Sequence, residues 1–104
     1  MNQHLLSVDL SLGEHLVHID QEEDDLMNQV RVVQHPSATM QLYINQVKAF
    51  FNCMRIDAAL RHQIMISYIS GNLVKAVYFT DKHLSVLEEL KVYEKRCLTL
   101  RDEL

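Results

Sequence analysis

The sequence contains few of the residues that interrupt secondary structure: two glycines and one proline among 104 residues, and no tryptophan. A β-sandwich or β-barrel needs a turn every 8–12 residues or so, roughly ten turns in a chain of this length, and such turns are usually built with glycine or proline. This shortage excludes such folds and leaves long helices. We therefore expect an all-α fold in a single domain, residues 1–104.

Membrane-spanning segments and cysteine motifs are also missing. No apolar run approaches the roughly 18 residues needed to cross a bilayer, and the first twenty residues lack the basic start of a signal peptide. Cys53 and Cys97 form neither a CxxC motif nor a metal-ligand spacing. We expect a protein of the reducing cytoplasm, not inserted in a membrane, with both thiols packed as small apolar side chains.

The charges are unevenly distributed, although the net charge is only −4. Residues 1–35 carry one basic and seven acidic residues, whereas residues 36–80 carry four basic residues and one acidic residue. The overall balance argues against a protein that binds nucleic acid. It also predicts that the acidic arm, residues 1–35, packs against the basic middle of the chain or against a basic partner.

The first apolar pattern predicts a helix from about residue 14 to residue 34, ended by Pro36. One face of this helix would carry Leu16, Ile19, Leu26, Val30 and Val33. Gly13 would cost about 1 kcal/mol inside a helix, so residues 1–13 are expected to be frayed or separately folded. A short β element is the alternative for residues 5–12, where apolar and polar residues alternate.

Residues 37–69 are expected to form a longer helix with two apolar stripes. The first stripe consists of Met40, Ile44, Val47, Phe51, Met54, Ala58 and Met65. The second consists of Phe50, Cys53, Ile56, Leu60 and Ile64. A helix that is apolar on two sides is covered on two sides, so this one should be central. Residues 73–79 either continue it or form a strand, because they are rich in β-branched and aromatic side chains.

The last segment, about residues 82–103, shows the heptad spacing of a helix that packs along a seam. The seam consists of Val86, Leu90, Tyr93, Cys97, Leu100 and Leu104, and it extends backwards to His83 and Phe79. It faces either another helix of the same chain or a second chain. We expect a three-helix bundle, a helical hairpin plus this heptad helix, completed by oligomerisation.

No motif typical of an enzyme is present, and we expect no catalytic residue, no cofactor and no metal. The most metal-like group is Glu14, His15, His18 and Glu22, but it lacks the HExxH or ExxH spacing of helical metal sites. His62 is the best candidate for a phospho-transfer histidine, although the lysine and glycine typical of such domains do not follow it.

These features favour a non-catalytic protein–protein interaction module, such as a small adaptor, a regulator or a dedicated chaperone that binds a partner helix. The residues expected to bind the partner are Phe50, Phe51, Met54, Val86, Leu90, Tyr93 and Leu100. The partner would be a second copy, in a homodimer, or a heterologous helix, in an obligate heteromer. One alternative is an accessory subunit of a larger assembly such as a secretion machine. The other is a small metal-binding or phospho-transfer protein that uses His15 and His18, or His62.

Overall fold

The computed structural model describes the backbone of residues 2–30 and 36–104 and the side chains of residues 12–30 and 36–104. Within these ranges the chain forms three helices and no strand. They are α1 (Asn2–Val30), α2 (Ala38–Ile69) and α3 (Leu73–Glu103). The predicted all-α, three-helix fold is confirmed. The predicted end of the first helix, near residue 34, lies outside the described residues.

Two helix starts differ from the sequence prediction. α1 begins at Asn2, so the helix continues through Gly13, and the β alternative for residues 5–12 is wrong. The propensity cost of one glycine is smaller than the gain from the helical turns on both sides of it. α3 begins at Leu73, so residues 73–79 form neither a strand nor an extension of α2. Their β-branched side chains have only a weak preference, which helical pairing with α2 overrides.

The chain reverses direction between α2 and α3 at Gly71. This residue has a φ of 77°, in the left-handed region that disfavours a side chain. The Gly71 N–H donates to the Tyr68 carbonyl at 3.1 Å, and the Asn72 N–H donates to the Ser67 carbonyl at 2.8 Å. These two bonds form a Schellman helix end. The Asn72 side chain then accepts from the Lys75 N–H at 3.2 Å and caps α3.

α2 is the central helix, with α1 on one side and α3 on the other. In the described part of the chain, no Cα atom of α1 lies within 8 Å of a Cα atom of α3. The molecule measures 53 × 25 × 14 Å, so the three helices lie side by side in a flattened layer. The central position predicted from the two apolar stripes is confirmed.

The main apolar core lies between α1 and α2. Its buried side chains are Ile19, Met27, Val47, Phe51 and Ala58. Partly buried side chains pack around them, among them Leu16, Phe50, Met54 and Cys97. The first stripe of α2 therefore faces α1, except at its end, where Met65 is 48% exposed. A layer of three helices covers α2 well but leaves much of α3 in contact with water.

Candidate interaction surface

The heptad positions of α3 pack against α2 of the same chain. We call these residues the inner seam, and all of them are half-buried: Phe79, His83, Val86, Leu90, Tyr93, Cys97 and Leu100. Cys53 of α2 donates a long hydrogen bond, 3.8 Å, to the carbonyl of Val86. Leu104 ends the pattern and is 54% exposed. The seam is thus used inside the chain, which answers whether it closes within one chain or between two.

The residues predicted to bind a partner are engaged in this internal packing. Phe51 is buried in the α1–α2 core, and Phe50 and Met54 pack against that core. The other four belong to the inner seam: Val86, Leu90, Tyr93 and Leu100. Their role in partner binding stays a prediction, and in the folded chain each is at least half-covered.

A polar cluster around the buried Asp57 joins α2 to α3 in the middle of the hairpin. Asp57 is 8% exposed. Its Oδ1 lies 2.5 Å from Nε2 of His83, and its Oδ2 accepts from Arg61 at 2.7 Å. Both carboxylate oxygens are therefore paired, as a buried carboxylate requires.

The sequence prediction missed Asp57 and placed Ile56 in the second stripe of α2. Ile56 is 51% exposed, so that placement is wrong. The side of α2 that faces α3 carries Phe50, Cys53, Asp57, Leu60 and Ile64. These residues follow one another at steps of three and four, the true helical repeat, whereas the series through Ile56 has two consecutive steps of three. Strict spacing was the signal that identifies Asp57.

The two cysteines are free thiols in unreactive surroundings. Burial raises the pKa of the Cys53 thiol, and the negative charges of Glu89 and Asp57 raise it further. Burial also raises the pKa of Cys97. A thiol with a raised pKa holds its proton more firmly and is a weaker nucleophile than a free thiol at the same pH.

An ion cluster on the other side of α2 holds α1. Arg55 donates through Nε to Asp20 and through a terminal nitrogen to Glu23, each at 2.8 Å. It also donates to Asn52 on its own helix at 2.9 Å. The hydrogen bond to Glu23 is the largest of the effects that raise the pKa of Arg55. The acidic arm therefore does pack against the basic middle of the chain, as its charge predicted.

The metal-like group of α1 is spread over an exposed surface. His18 contacts Glu22 at 2.9 Å, and Glu14 and His15 are exposed as well. In the described part of the chain, no three His, Cys, Asp or Glu side chains are grouped as metal ligands. His62, the candidate for phospho-transfer, is buried, with 9% of its surface exposed.

The face of α3 turned away from α2 carries an unexpected apolar row. We call it the outer stripe, and it consists of Leu73, Val77, Leu84, Leu87 and Leu98. Their exposed fractions are 62%, 61%, 57%, 37% and 42%, in that order. At about 100° per residue, the outer stripe lies roughly 130° around the helix from the inner seam. They occupy five of the eight positions of a second heptad series between residues 73 and 98, and polar residues occupy the other three. This partial repeat is the sequence signal that identifies them.

Two shallow clefts of the described part of the chain flank α3. One, of about 360 Å³, is lined by Leu42, Gln46, Lys95, Arg96, Thr99 and Leu100. The other, of about 320 Å³, is lined by Glu88, Glu89, Val92, Tyr93 and Arg96.

Comparison with known proteins adds no assignment. No family model matches this chain, and no curated protein or solved structure resembles it beyond the level expected by chance. Among the described residues, no helix is both long enough and apolar enough to span a membrane.

Proposed function

We propose that this chain is a non-catalytic interaction protein, a small adaptor, regulator or dedicated chaperone, that binds an amphipathic helix. The observation that carries the proposal is the outer stripe. Helix-binding surfaces are recognised by apolar anchors at heptad-like spacing, and the outer stripe presents them over about 38 Å of α3. A long exposed apolar row on a small protein is typical of a docking site.

The outer stripe suits binding better than the residues first predicted from the sequence. A partner that bound Phe51 or Leu90 would have to displace α1 or α3 from α2, at the cost of the chain's own packing. A partner that binds Leu84 and Leu87 meets side chains that already face water. Binding there requires no rearrangement of the fold, so all of the apolar area that is covered favours the complex.

The surroundings of the reactive groups support a role without catalysis. Asp57 and His83 are paired with each other, and the pKa values of both thiols are raised by burial. Two free thiols also fit a reducing compartment, and we place the protein in the cytoplasm. A metal or phospho-transfer role at His15, His18 or His62 has no comparable support.

Co-purification with variants of α3 tests this proposal. Tagged wild-type protein is compared with Leu84→Lys, which places a charge in the outer stripe. The matched control is Val92→Lys, the same charge on an exposed position of α3 outside the stripe. We expect wild type and Val92→Lys to retain the same stoichiometric partner from the cells that express the protein, and Leu84→Lys to lose it. Identical recovery with all three proteins would contradict the proposal.

A further inference from the structure

We propose that the helix bound by the outer stripe is α3 of a second copy of this chain, packed antiparallel in a symmetric dimer. This inference rests on the proposed function, since it names the occupant of the same surface. It is carried by two properties of the stripe, its self-complementary spacing and the charges beside it.

The spacing of the outer stripe is self-complementary about its own centre. In a two-fold symmetric pair the same patch must serve both chains, so each residue needs a suitable residue at the mirrored position. When the two-fold axis passes between residues 85 and 86, Leu73 lies opposite the partner's Leu98. Leu84 lies opposite the partner's Leu87. Four of the five apolar residues of each chain thereby meet an apolar residue of the other.

The charges favour this register. Polar residues occupy three positions of the stripe, Thr80, Lys91 and Glu94. Glu94 lies opposite the partner's Val77, the one apolar residue without an apolar counterpart, and Thr80 lies opposite the partner's Lys91. Asp81 is adjacent to Thr80 on the rim of the stripe, so its carboxylate lies beside that ammonium group. Symmetry repeats the pair, and two Asp–Lys contacts form per dimer. Within one chain, Lys91 reaches only an exposed Glu88, at 3.6 Å, and its long side chain is able to reach Asp81 of the partner subunit as well.

The neighbouring antiparallel registers fit less well. A shift by one heptad towards the start of α3 places Leu73 opposite the partner's Lys91 and leaves Leu98 beyond the end of the partner helix. Centring the pair on Thr80 places Leu73 opposite the partner's Leu87, but it sets Val77 and Leu84 opposite residues outside the stripe and brings Asp81 next to the partner's Asp81. Like charges at close range weaken such a pair, so the register centred between residues 85 and 86 is preferred.

The fold leaves room for this dimer. α1 and α3 flank α2 on different sides, and the outer stripe points away from α2. Two copies joined through α3 therefore form a continuous layer of six helices, with the two α3 helices in the middle. The inner seam of each chain stays on its own α2.

Charge exchange between Asp81 and Lys91 tests both the dimer and its register. Asp81→Lys alone places two lysines together at each contact, and Lys91→Asp alone places two aspartates together. Mixed in equal amounts, the two variants pair each new lysine with each new aspartate. All measurements use light scattering after size exclusion on the full chain, with circular dichroism to check that each variant is folded.

We expect the wild type to have about twice its chain mass of 12.2 kDa. The dimer of each single variant should have a dissociation constant at least roughly tenfold higher than that of the wild type, since two attractive contacts become repulsive. The equimolar mixture should return to a dimer that contains one chain of each variant. Leu84→Lys should be monomeric, and Val92→Lys should remain a dimer.

Three results would overturn the inference. The first is a wild type that stays monomeric up to about 1 mM, a concentration at which even weak contacts form. The second is that the single variants dimerise as well as the wild type. The third is that the equimolar mixture does not regain the dimer. A monomeric wild type whose stripe-dependent partner is still recovered from cells would remove the second copy as occupant and leave the proposed function standing. Unchanged recovery with Leu84→Lys would instead remove the proposed function.

Discussion

Asp57 illustrates at the scale of one residue how the α2–α3 contact is specified. A carboxylate that is 8% exposed is costly to bury, and His83 and Arg61 offset that cost by pairing with both of its oxygens. Apolar side chains along a seam tolerate sliding by one heptad, whereas a buried hydrogen-bonded contact such as Asp57–His83 is lost when the helix slides. The Asp57–His83 contact therefore holds α3 in its register on α2.

Replacing Asp57 by alanine should lower the free energy of unfolding by about 2–3 kcal/mol, because the half-buried His83 loses its partner. Urea unfolding followed by circular dichroism measures this loss. Asp24→Ala serves as the control, since Asp24 is exposed on α1 and its removal should change stability by no more than about 0.5 kcal/mol. Equal losses in the two variants would show that the ion pair contributes nothing.

The thiols make a second prediction at this scale. Because burial raises the pKa values of Cys53 and Cys97, the unfolded chain ionises its thiols at lower pH than the folded chain does. The thiol contribution to stability is therefore complete below about pH 8.5 and is lost as the pH rises above that value. At about pH 8, a maleimide reagent should label the folded protein roughly tenfold more slowly than the urea-unfolded protein. Equal labelling rates would contradict the burial of both thiols.

At the scale of the helices, two glycines with different backbone conformations can be compared directly. Both are exposed, and a methyl group added to either meets no atom within 4 Å. Gly13 lies inside α1, whereas Gly71 closes α2 with a φ of 77°. Side-chain packing therefore does not distinguish the two sites. The backbone conformation alone decides whether a substitution raises or lowers the free energy of unfolding.

Gly13→Ala should stabilise the chain by about 0.5–1 kcal/mol, because alanine restricts the unfolded chain and favours a helix. Gly71→Ala should destabilise it by about 1–2 kcal/mol, because the left-handed conformation crowds the added carbon atom. Chemical unfolding of both variants gives the two values. If the two substitutions shift stability in the same direction, the conformations assigned to the glycines are wrong.

The helices were predictable from local spacing where apolar residues are concentrated on particular faces of a helix. The two stripes of α2 and the heptad of α3 identified the central helix and the inner seam, because repeats of three and four residues depend only on helix geometry. The starts of α1 and α3 were not predictable from Gly13 or from Val77 and Tyr78, because residue preferences of about 1 kcal/mol are smaller than the packing of a whole helix.

The candidate site was less predictable than the fold. Spacing shows which residues share a face but not what covers that face. Leu84 and Leu90 belong to two heptad series on one helix, and spacing alone does not say what covers the series of Leu84. Asp57 was missed because the prediction followed the apolar residue Ile56 instead of the strict spacing of three and four residues, which leads to a charged side chain.

On the scale of the whole molecule, the decisive feature is the flattened layer. A layer 14 Å thick covers its central helix on two sides and each outer helix on one. α3 carries an apolar row on each of two faces, and its own chain covers only one of these rows. The inner seam stabilises the fold, and the outer stripe is available for a partner. This division of α3 between folding and binding is the central claim.

The most direct test compares one leucine from each face of α3 by urea unfolding at a concentration low enough to keep the chain monomeric. Leu90→Ala should cost about 2 kcal/mol, because Leu90 packs in the inner seam against α2. Leu84→Ala should change the free energy of unfolding by less than about 0.5 kcal/mol, because Leu84 is 57% exposed. Equal losses, or a larger loss for Leu84→Ala, would contradict the division of α3 into a folding face and a binding face.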